Sequence, residues 1–323
     1  MLCLTWWWHL VAVVVGGVQP PTRRAALASW CVGFPATAGC AGVPAAQPLW
    51  LGTCCGDEGV REAVVSAIAI GYRLIDTATH YENEEAIGDG IREAVSRGLI
   101  ANPSEVSVCT KVWYDDMAYA STIRSVMASR DAIGESLESV LVHFPGTIDA
   151  VQSPARNAKL RAETWRALEA LKRGGVVSRV GVSNYVGRHA REHARNAGSP
   201  PDLVQLESHV YCANFELVDL WRDLAPDAEL QAYSPLASGR LDLLGSAELQ
   251  RIAARLGATP TLVALAWLIA RGIHPVCKAT TTPHLADNLR APALALHLRD
   301  DDIQAINRLD RHASIAFDAS IIA

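Results

Sequence analysis

The sequence predicts a single α/β domain closed as a (β/α)8 barrel, the TIM-barrel class. Three observations predict it. Short apolar runs recur along the chain, each followed by a stretch with helical periodicity. The runs are continuously apolar rather than alternating, as in parallel strands covered on both faces. Their count is that of a closed barrel. An open doubly wound sheet would also call for a G-x-G-x-x-G turn after its first strand, and neither that turn nor a phosphate-cradling Walker loop is found.

The expected strands are 49–53, 73–76, 106–112, 140–143, 179–183, 203–206, 229–232 and 275–278. The expected helices are 58–70, 84–97, 121–132, 159–173, 186–197, 215–223, 247–256, 261–270 and 283–289. In helix 159–173, Trp165, Leu168 and Leu171 share one face, and Gly174 and Gly175 close it. In helix 247–256, Leu249, Ile252, Ala253 and Leu256 form the apolar stripe, and Gly257 follows as a C-cap. These positions are core. A chain of 323 residues exceeds the usual ~150 per domain, but barrels of this class run to ~250 or more as one domain.

Residues 1–47 read differently from residues 48–323, which form the barrel. A nearly continuous apolar run spans 6–18, and a Gly-, Pro- and Ala-rich stretch follows it. The run is short of the ~20 residues a membrane span needs, and it lacks the basic lead of a secretory signal. It is a disordered leader, a targeting segment or, least of all, an anchor, and in none of these readings does it join the core. The net charge of −5 and the lack of a long basic run exclude a nucleic-acid footprint. The eight cysteines form no C-x-x-C pair and sit in apolar stretches, which predicts reduced, mostly buried thiols.

Active sites of such barrels lie at the C-terminal ends of the strands. Ionisable residues stand there in succession. The second strand ends at Asp76, with Tyr81 in the loop beyond it; the third ends around Lys111, the fourth at His143. The fifth adds the hydrogen-bonding groups of Ser183 and Asn184. Reduction of a carbonyl needs a hydride donor and a proton donor. Tyr81 can supply the proton, although a free phenol pKa of ~10 is poorly matched to neutral pH. A nearby Lys111 ammonium would favour the phenolate and bring that pKa down, Asp76 would hold Lys111, and His143 would orient the carbonyl. No metal is needed.

The segments that carry these residues resemble the aldo-keto reductase family. Gly71-Tyr72-Arg73-Leu74-Ile75-Asp76-Thr77-Ala78 through Glu84 is similar to its signature around the catalytic Asp and Tyr. Thr110-Lys111-Val112-Trp113 and Leu141-Val142-His143-Phe144-Pro145 resemble the segments with its Lys and His. Gly181-Val182-Ser183-Asn184-Tyr185, Gln205-Leu206-Glu207, Ala232-Tyr233-Ser234-Pro235-Leu236 and Val276-Cys277-Lys278 follow in the family's order, so the likeness covers about 48–311. The aldose/xylose reductases and 2,5-diketo-gluconate reductases are the nearest in kind. The resemblance implies an NADP-dependent oxidoreductase, monomeric and cytoplasmic, acting on a small carbonyl compound with no stable membrane partner. It places Ser183, Asn184 and Gln205 on the nicotinamide amide, and Tyr233 against the nicotinamide ring. It places Ser234, Leu236 and Ser238 along the pyrophosphate, Lys278 at the 2′-phosphate, and Asp287 and Asn288 at the adenine. Cys54, Trp113, Phe144 and His143 would line the substrate pocket.

Departures from the family pattern qualify this. Ala279 stands for a serine and His284 for an arginine that usually pairs with the phosphate, so NADH is an alternative to NADPH. Arg240 replaces a frequent acid in a short 237–246 loop, which predicts an open cofactor site. Cys54 replaces a frequent Trp, which widens one side of an apolar pocket. Loop 146–158 reads as polar and mobile, and the tail beyond Leu309 as short and generic. The same fold could instead serve a cofactor-sensing subunit, or an aldolase or isomerase using Lys111 as a Schiff-base amine. His189-Ala190-Arg191-Glu192-His193 spells an inverted zinc-protease pattern, but its arginines and the lack of a third ligand favour a solvated helix face. Cys54-Cys55 is too close for an unstrained disulfide and has no metal spacing.

Overall fold

A computed structural model describes residues 48–54, 59–147 and 153–322. The expectations for residues 1–47 and for Cys55 lie outside the described residues. Eight parallel strands close into a barrel in sequence order, β1 Trp50–Gly52, β2 Leu74–Asp76, β3 Ser107–Val112, β4 Leu137–Val142, β5 Arg179–Ser183, β6 Leu203–Glu207, β7 Glu229–Tyr233 and β8 His274–Cys277. Closure is made by β1 on β8, with Trp50 opposite Val276 and Leu51 opposite Cys277.

The helices lie between and around the strands: α1 Val60–Ala69, α2 Glu84–Ser96, α3 Tyr119–Ile133, α4 Pro154–Arg173, α5 Gly187–Asn196, α6 Phe215–Leu224, α7 Ala247–Leu256, α8 Pro260–Ala270, α9 Thr282–Asn288, α10 Ala291–Ala295 and α11 Asp300–Asn307. Strand β4 starts before the expected run because Glu138 interrupts the apolar pattern. Its carboxylate is paired with Arg179 at 2.7 Å, so a polar residue is satisfied within the strand. Helices α10 and α11 were not expected. The signal for α11 is three acids in its first turn, Asp300, Asp301 and Asp302, at the positive end of the helix dipole. Loop 146–158 is corrected in part: α4 starts at Pro154, and the buried Asn157 accepts the Thr147 amide at 3.1 Å.

Side chains alternate between the lumen and the helical shell. Leu51, Ile75, Val140, Val182, Val204 and Leu230 face outward into the main core, where α8 is almost wholly buried. Trp50, Leu74, Cys109, Leu141, Leu203 and Val276 form a separate apolar plug inside the lumen. The plug is tight: a Cβ at Gly181 would lie 2.2 Å from the Leu203 carbonyl oxygen and 2.6 Å from Leu141 Cδ2. Truncating Leu141 to Ala there would cost about 2–5 kcal/mol. Above the plug, the lumen turns polar, and this change of lining defines the mouth.

Candidate active site

Asp76 is the last residue of β2, and Lys111 is the penultimate residue of β3, so parallel pairing brings both side chains to the mouth. Lys111 is 1 % exposed, which demands a partner for its charge. Nζ donates to Asp76 Oδ1 at 2.7 Å and to the Thr77 carbonyl at 2.8 Å. Burial opposes the ammonium, yet Asp76 and the phenol beyond it hold the Lys111 pKa above its ordinary value. The second oxygen of Asp76 accepts Gln205 Nε2 at 2.7 Å from across the lumen. Both oxygens of the carboxylate are thus used.

Tyr81 closes a 3-10 turn, Thr79–Tyr81, immediately after β2. Lys111 Nζ lies 5.3 Å from its ring centre. Here the expected titration is corrected. Burial pushes the Tyr81 pKa up from 10, and Lys111 opposes this without overcoming it. The cation's field is shared with Asp76, whose negative charge also disfavours a phenolate. Tyr81 therefore keeps its proton at neutral pH, and Lys111 stabilises the anion that a proton transfer would leave.

His143 follows β4 and completes the cluster. Its ring meets Tyr81 edge-on at 5.8 Å and Trp113 at 4.9 Å, and stacks on Phe144 at 5.2 Å. Burial, then the Lys111 and His80 charges, hold its pKa well below 6.5, so the imidazole is neutral. Its Nδ1 is buried without a partner among the described residues. Arg161 of α4 fixes the loop beyond it, donating to the Pro145 carbonyl at 2.7 Å while its other nitrogens bind Glu192.

On the opposite side, Ser183, Asn184, Gln205 and Tyr233 also converge. Asn184 has φ 63° and donates Nδ2 to the His143 carbonyl at 2.9 Å, linking the two sides. Its Oδ1 accepts Tyr233 OH at 2.6 Å, and Ser183 Oγ accepts Asn184 Nδ2 at 3.2 Å. Beyond β7, Ser234, Ala237 and Ser238 all have φ near +50°, an unfavourable conformation for L side chains. Ser234 and Ser238 face each other at 3.2 Å, and Leu236 lies half-buried between them in sequence. Lys278 and His284 are exposed. Asp287 pairs with Arg290 at 2.7 Å, whereas Asn288 is buried and donates to Cys277 Sγ at 3.5 Å. These two do not share one open face. Arg240 donates to the Ile315 carbonyl at 3.2 Å.

Three sequence expectations need correction. The tail is not generic. Glu207, the last residue of β6, accepts the Ile315 amide at 2.8 Å, the Ala316 amide at 3.2 Å and the Ser314 hydroxyl, and contacts His209 Nε2 at 2.9 Å. Burial raises the Glu207 pKa, but these bonds outweigh it and hold the group below the ordinary carboxylate range. The tail so held sets Phe317 edge-on against Phe144 at 5.7 Å. Glu207 stands at a strand end, and the rule that found Gln205 also points to it. Second, His189 and His193 are buried rather than solvated. His189 Nε2 meets the Ile322 carbonyl at 2.9 Å, and His193 packs on Trp165 at 4.4 Å, so protein groups fill the face that spelled a zinc motif. No trio of side chains able to hold a metal occurs among the described residues. Third, Cys54 is disulfide-bonded, against the expectation of reduced thiols; Cys109, Cys212 and Cys277 are free and buried.

An acid–ammonium pair beneath a protonated phenol, with a neutral imidazole beside it, stands at the mouth of an eight-stranded barrel, an arrangement that can donate a proton. Residues 50–311 match the model of the Aldo/keto reductase family, and the chain belongs to that family of oxidoreductases. It is 32% identical to the glyoxal reductase of Bacillus subtilis over 253 residues, 77% of this chain and 84% of that one. Among solved structures, it resembles an aldo-keto reductase from a deep-sea metagenome, with TM-score 0.74 and 29% identity over 84% of this chain and 93% of that one. An aldo-keto reductase complexed with NADPH, solved also as the enzyme of the silkworm Bombyx mori, gives TM-score 0.73 and 26% identity over 84% of this chain and 86% of that one. No single described helix is long and apolar enough to cross a membrane.

Proposed function

We propose that this chain reduces an aldehyde or ketone to an alcohol with NADPH, using Tyr81 as general acid. The observation that carries the reading is the Asp76–Lys111 pair, buried at 2.7 Å beneath a Tyr81 that burial keeps protonated. Tyr81 delivers its proton to the carbonyl oxygen as negative charge develops there, and Lys111 stabilises the phenolate left behind. Asp76 fixes Lys111 and, by neutralising it, lets the cation be buried. Neutral His143 offers a hydrogen bond to the same oxygen without competing for the proton.

The other side fits a nicotinamide dinucleotide. Ser183, Asn184 and Gln205 cluster amide-binding groups beside the Tyr233 ring, a strained turn at Ser234–Ser238 leads away from them, and the Lys278 cation stands at the end of β8. When bound, the reduced nicotinamide supplies the hydride. In this reading Ser183, Asn184 and Gln205 hold its amide, and Tyr233 backs its ring. Ser234, Leu236 and Ser238 follow the pyrophosphate, Lys278 meets the 2′-phosphate, and Asp287 borders the adenine, with Asn288 buried against Cys277 rather than open to it. Trp113, Phe144, His143 and Cys54 line the substrate side, with Cys54 as a disulfide sulfur rather than a thiol. The resemblance adds a monomeric, cytoplasmic chain acting on a small carbonyl compound. The relatives' names support this class: a glyoxal reductase, a 2,5-diketo-D-gluconic acid reductase B and an NAD(P)H-dependent D-xylose reductase.

A panel of aldehydes and ketones, run in parallel with NADPH and NADH, tests the reading. Turnover with NADPH exceeding that with NADH is expected, by a margin narrowed by His284 and Ala279. Binding of dinucleotide with no turnover of any carbonyl would favour a cofactor-sensing role instead.

A further inference from the structure

Gln231 has no part in the chemistry described so far. It comes from the middle of β7, is wholly buried, and projects into the lumen between the apolar plug and the mouth. Its Nε2 donates to Glu229 Oε1 at 3.0 Å, and its Oε1 accepts Gln205 Nε2 at 2.9 Å. Gln205 gives the other proton of the same nitrogen to Asp76 Oδ2 at 2.7 Å. At the far end, Glu229 accepts Trp50 Nε1 at 2.8 Å and Arg179 Nη1 at 2.8 Å, and lies 3.0 Å from His274 Nδ1. A continuous file of side chains therefore runs through the barrel from the start of β7 to the catalytic ion pair.

The ends of this file decide its direction. A carboxamide can face either way, but an ionised carboxylate only accepts. Both ends are carboxylates. Burial opposes the charge on Glu229, but His274 and Arg179 overcome it and keep the group ionised. Asp76 is tied to the Lys111 ammonium. Gln231 must then turn its nitrogen to Glu229, and its oxygen is left for Gln205. Gln205 must give both protons of its nitrogen, one to each side. Its only uncommitted polar atom is Oε1, an acceptor. Reversing either amide would set oxygen against oxygen in a buried place, where an unmade hydrogen bond is costly.

We propose that Gln231 and Glu229 are positioning residues that lock the side-chain amide of Gln205, so that it presents an acceptor and selects a nicotinamide by the N–H of its carboxamide. This rests on the reading of Gln205 as a nicotinamide contact. Neither residue touches the cofactor or the carbonyl; they act through Gln205. The file also joins cofactor recognition to the ion pair under Tyr81, since one nitrogen serves both.

The test compares NADP+ with its 3-acetylpyridine analogue, in which a methyl group replaces the carboxamide NH2. Binding is read by tryptophan fluorescence of the full chain, with no turnover. The unaltered chain binds NADP+ about tenfold or more tightly than the analogue, because the analogue strands Gln205 Oε1 against a methyl. In Gln231→Met, which keeps the length of the side chain and removes its polar atoms, Gln205 has a spare proton to turn outward, and the preference falls at least about threefold. Equal affinities in the unaltered chain, or an unchanged ratio in the variant, would overturn the proposal. A second readout uses the cofactor-free protein: both side-chain amide protons of Gln205 exchange slowly with solvent in the unaltered chain, and rapid exchange of either overturns it. Neither measurement on the unaltered chain depends on the variant folding. A chain that binds neither dinucleotide, while both Gln205 protons stay protected, would refute the cofactor reading and leave the locked amide standing.

Discussion

The two sides of the barrel mouth are built differently. On the side of β2 to β4, the buried charges already have their protein partners. Lys111 is bound to Asp76 and Thr77, Asp76 is bound to Lys111 and Gln205, and the rings of Tyr81, His143, Trp113 and Phe144 pack edge and face. On the side of β5 to β8, polar groups bond mainly to one another or stand at the surface. Tyr233 gives its hydroxyl to Asn184, Ser234 faces Ser238, and Asn184, Asn214, Ser234, Ala237 and Ser238 all hold positive φ. The first side is arranged before any ligand arrives, which is what electrostatic stabilisation of a transition state requires. The second stores strain and exchangeable hydrogen bonds, as ligand-clasping loops do. In the proposed function, chemistry is built in on one side, and binding is held in reserve on the other.

Substitutions should separate the two. The largest effect is expected for Lys111→Met. It leaves Asp76 as a buried carboxylate without its cation, and should cost about 3–5 kcal/mol in chemical denaturation. Turnover should fall by roughly 10²–10⁴-fold as well. A loss under about 1 kcal/mol would mean that the pair is not the fixed element described here.

Acid should act next most strongly, through neutral imidazoles. Burial holds His189 and His193 at about 4, and His143 well below 6.5. A folded pKa below the unfolded one means that the unfolded chain binds more protons. Stability is then complete above about pH 6.5 and is lost as pH falls toward 4. A loss on the order of 2–3 kcal/mol between about pH 6.5 and pH 5 is expected in urea titrations. A flat profile over that window would contradict the burial of these rings.

On the binding side, Lys278→Met should weaken NADPH about tenfold and leave NADH nearly unchanged, a loss of about 1.4 kcal/mol for one exposed charge contact. Isothermal titration with both cofactors reads this directly. An equal loss for both would remove Lys278 from the 2′-phosphate. The smallest effect concerns the tail. Glu207→Gln loses acceptor strength at the Ser314, Ile315 and Ala316 anchor, so Phe317 should loosen from Phe144. KM for bulky carbonyls should change about threefold, with kcat nearly constant. A fall in kcat with KM unchanged would instead place Glu207 in the chemical step.

The sequence carried the barrel because its strands are apolar on both faces, a pattern that changes little with context. It pointed to Asp76, Lys111 and His143 because each stands where an apolar run stops, and to Tyr81 in the loop just beyond; the structure brings the four together. What it did not carry depends on contacts across the lumen or over long separations. Gln231 reads as one polar interruption in a strand, and only closure brings it between Gln205 and Glu229. The tail looks featureless until Glu207, more than a hundred residues earlier, gathers its amides. His189 and His193 looked solvated because arginines flank them; the packing of α5 against Trp165 and Ile322 buries them. The sign of the Tyr81 shift was also out of reach, since it depends on how burial compares with a cation already shared with Asp76.

The central claim is that Tyr81 gives the proton while the opposite side binds the cofactor without needing the Tyr81 hydroxyl. It is tested most directly by single-turnover reduction and NADPH affinity, measured together on Tyr81→Phe. Reduction should fall by roughly 10²–10⁴-fold, with the affinity for NADPH unchanged within about twofold. A variant that still reduced its carbonyl at the original rate would contradict the claim.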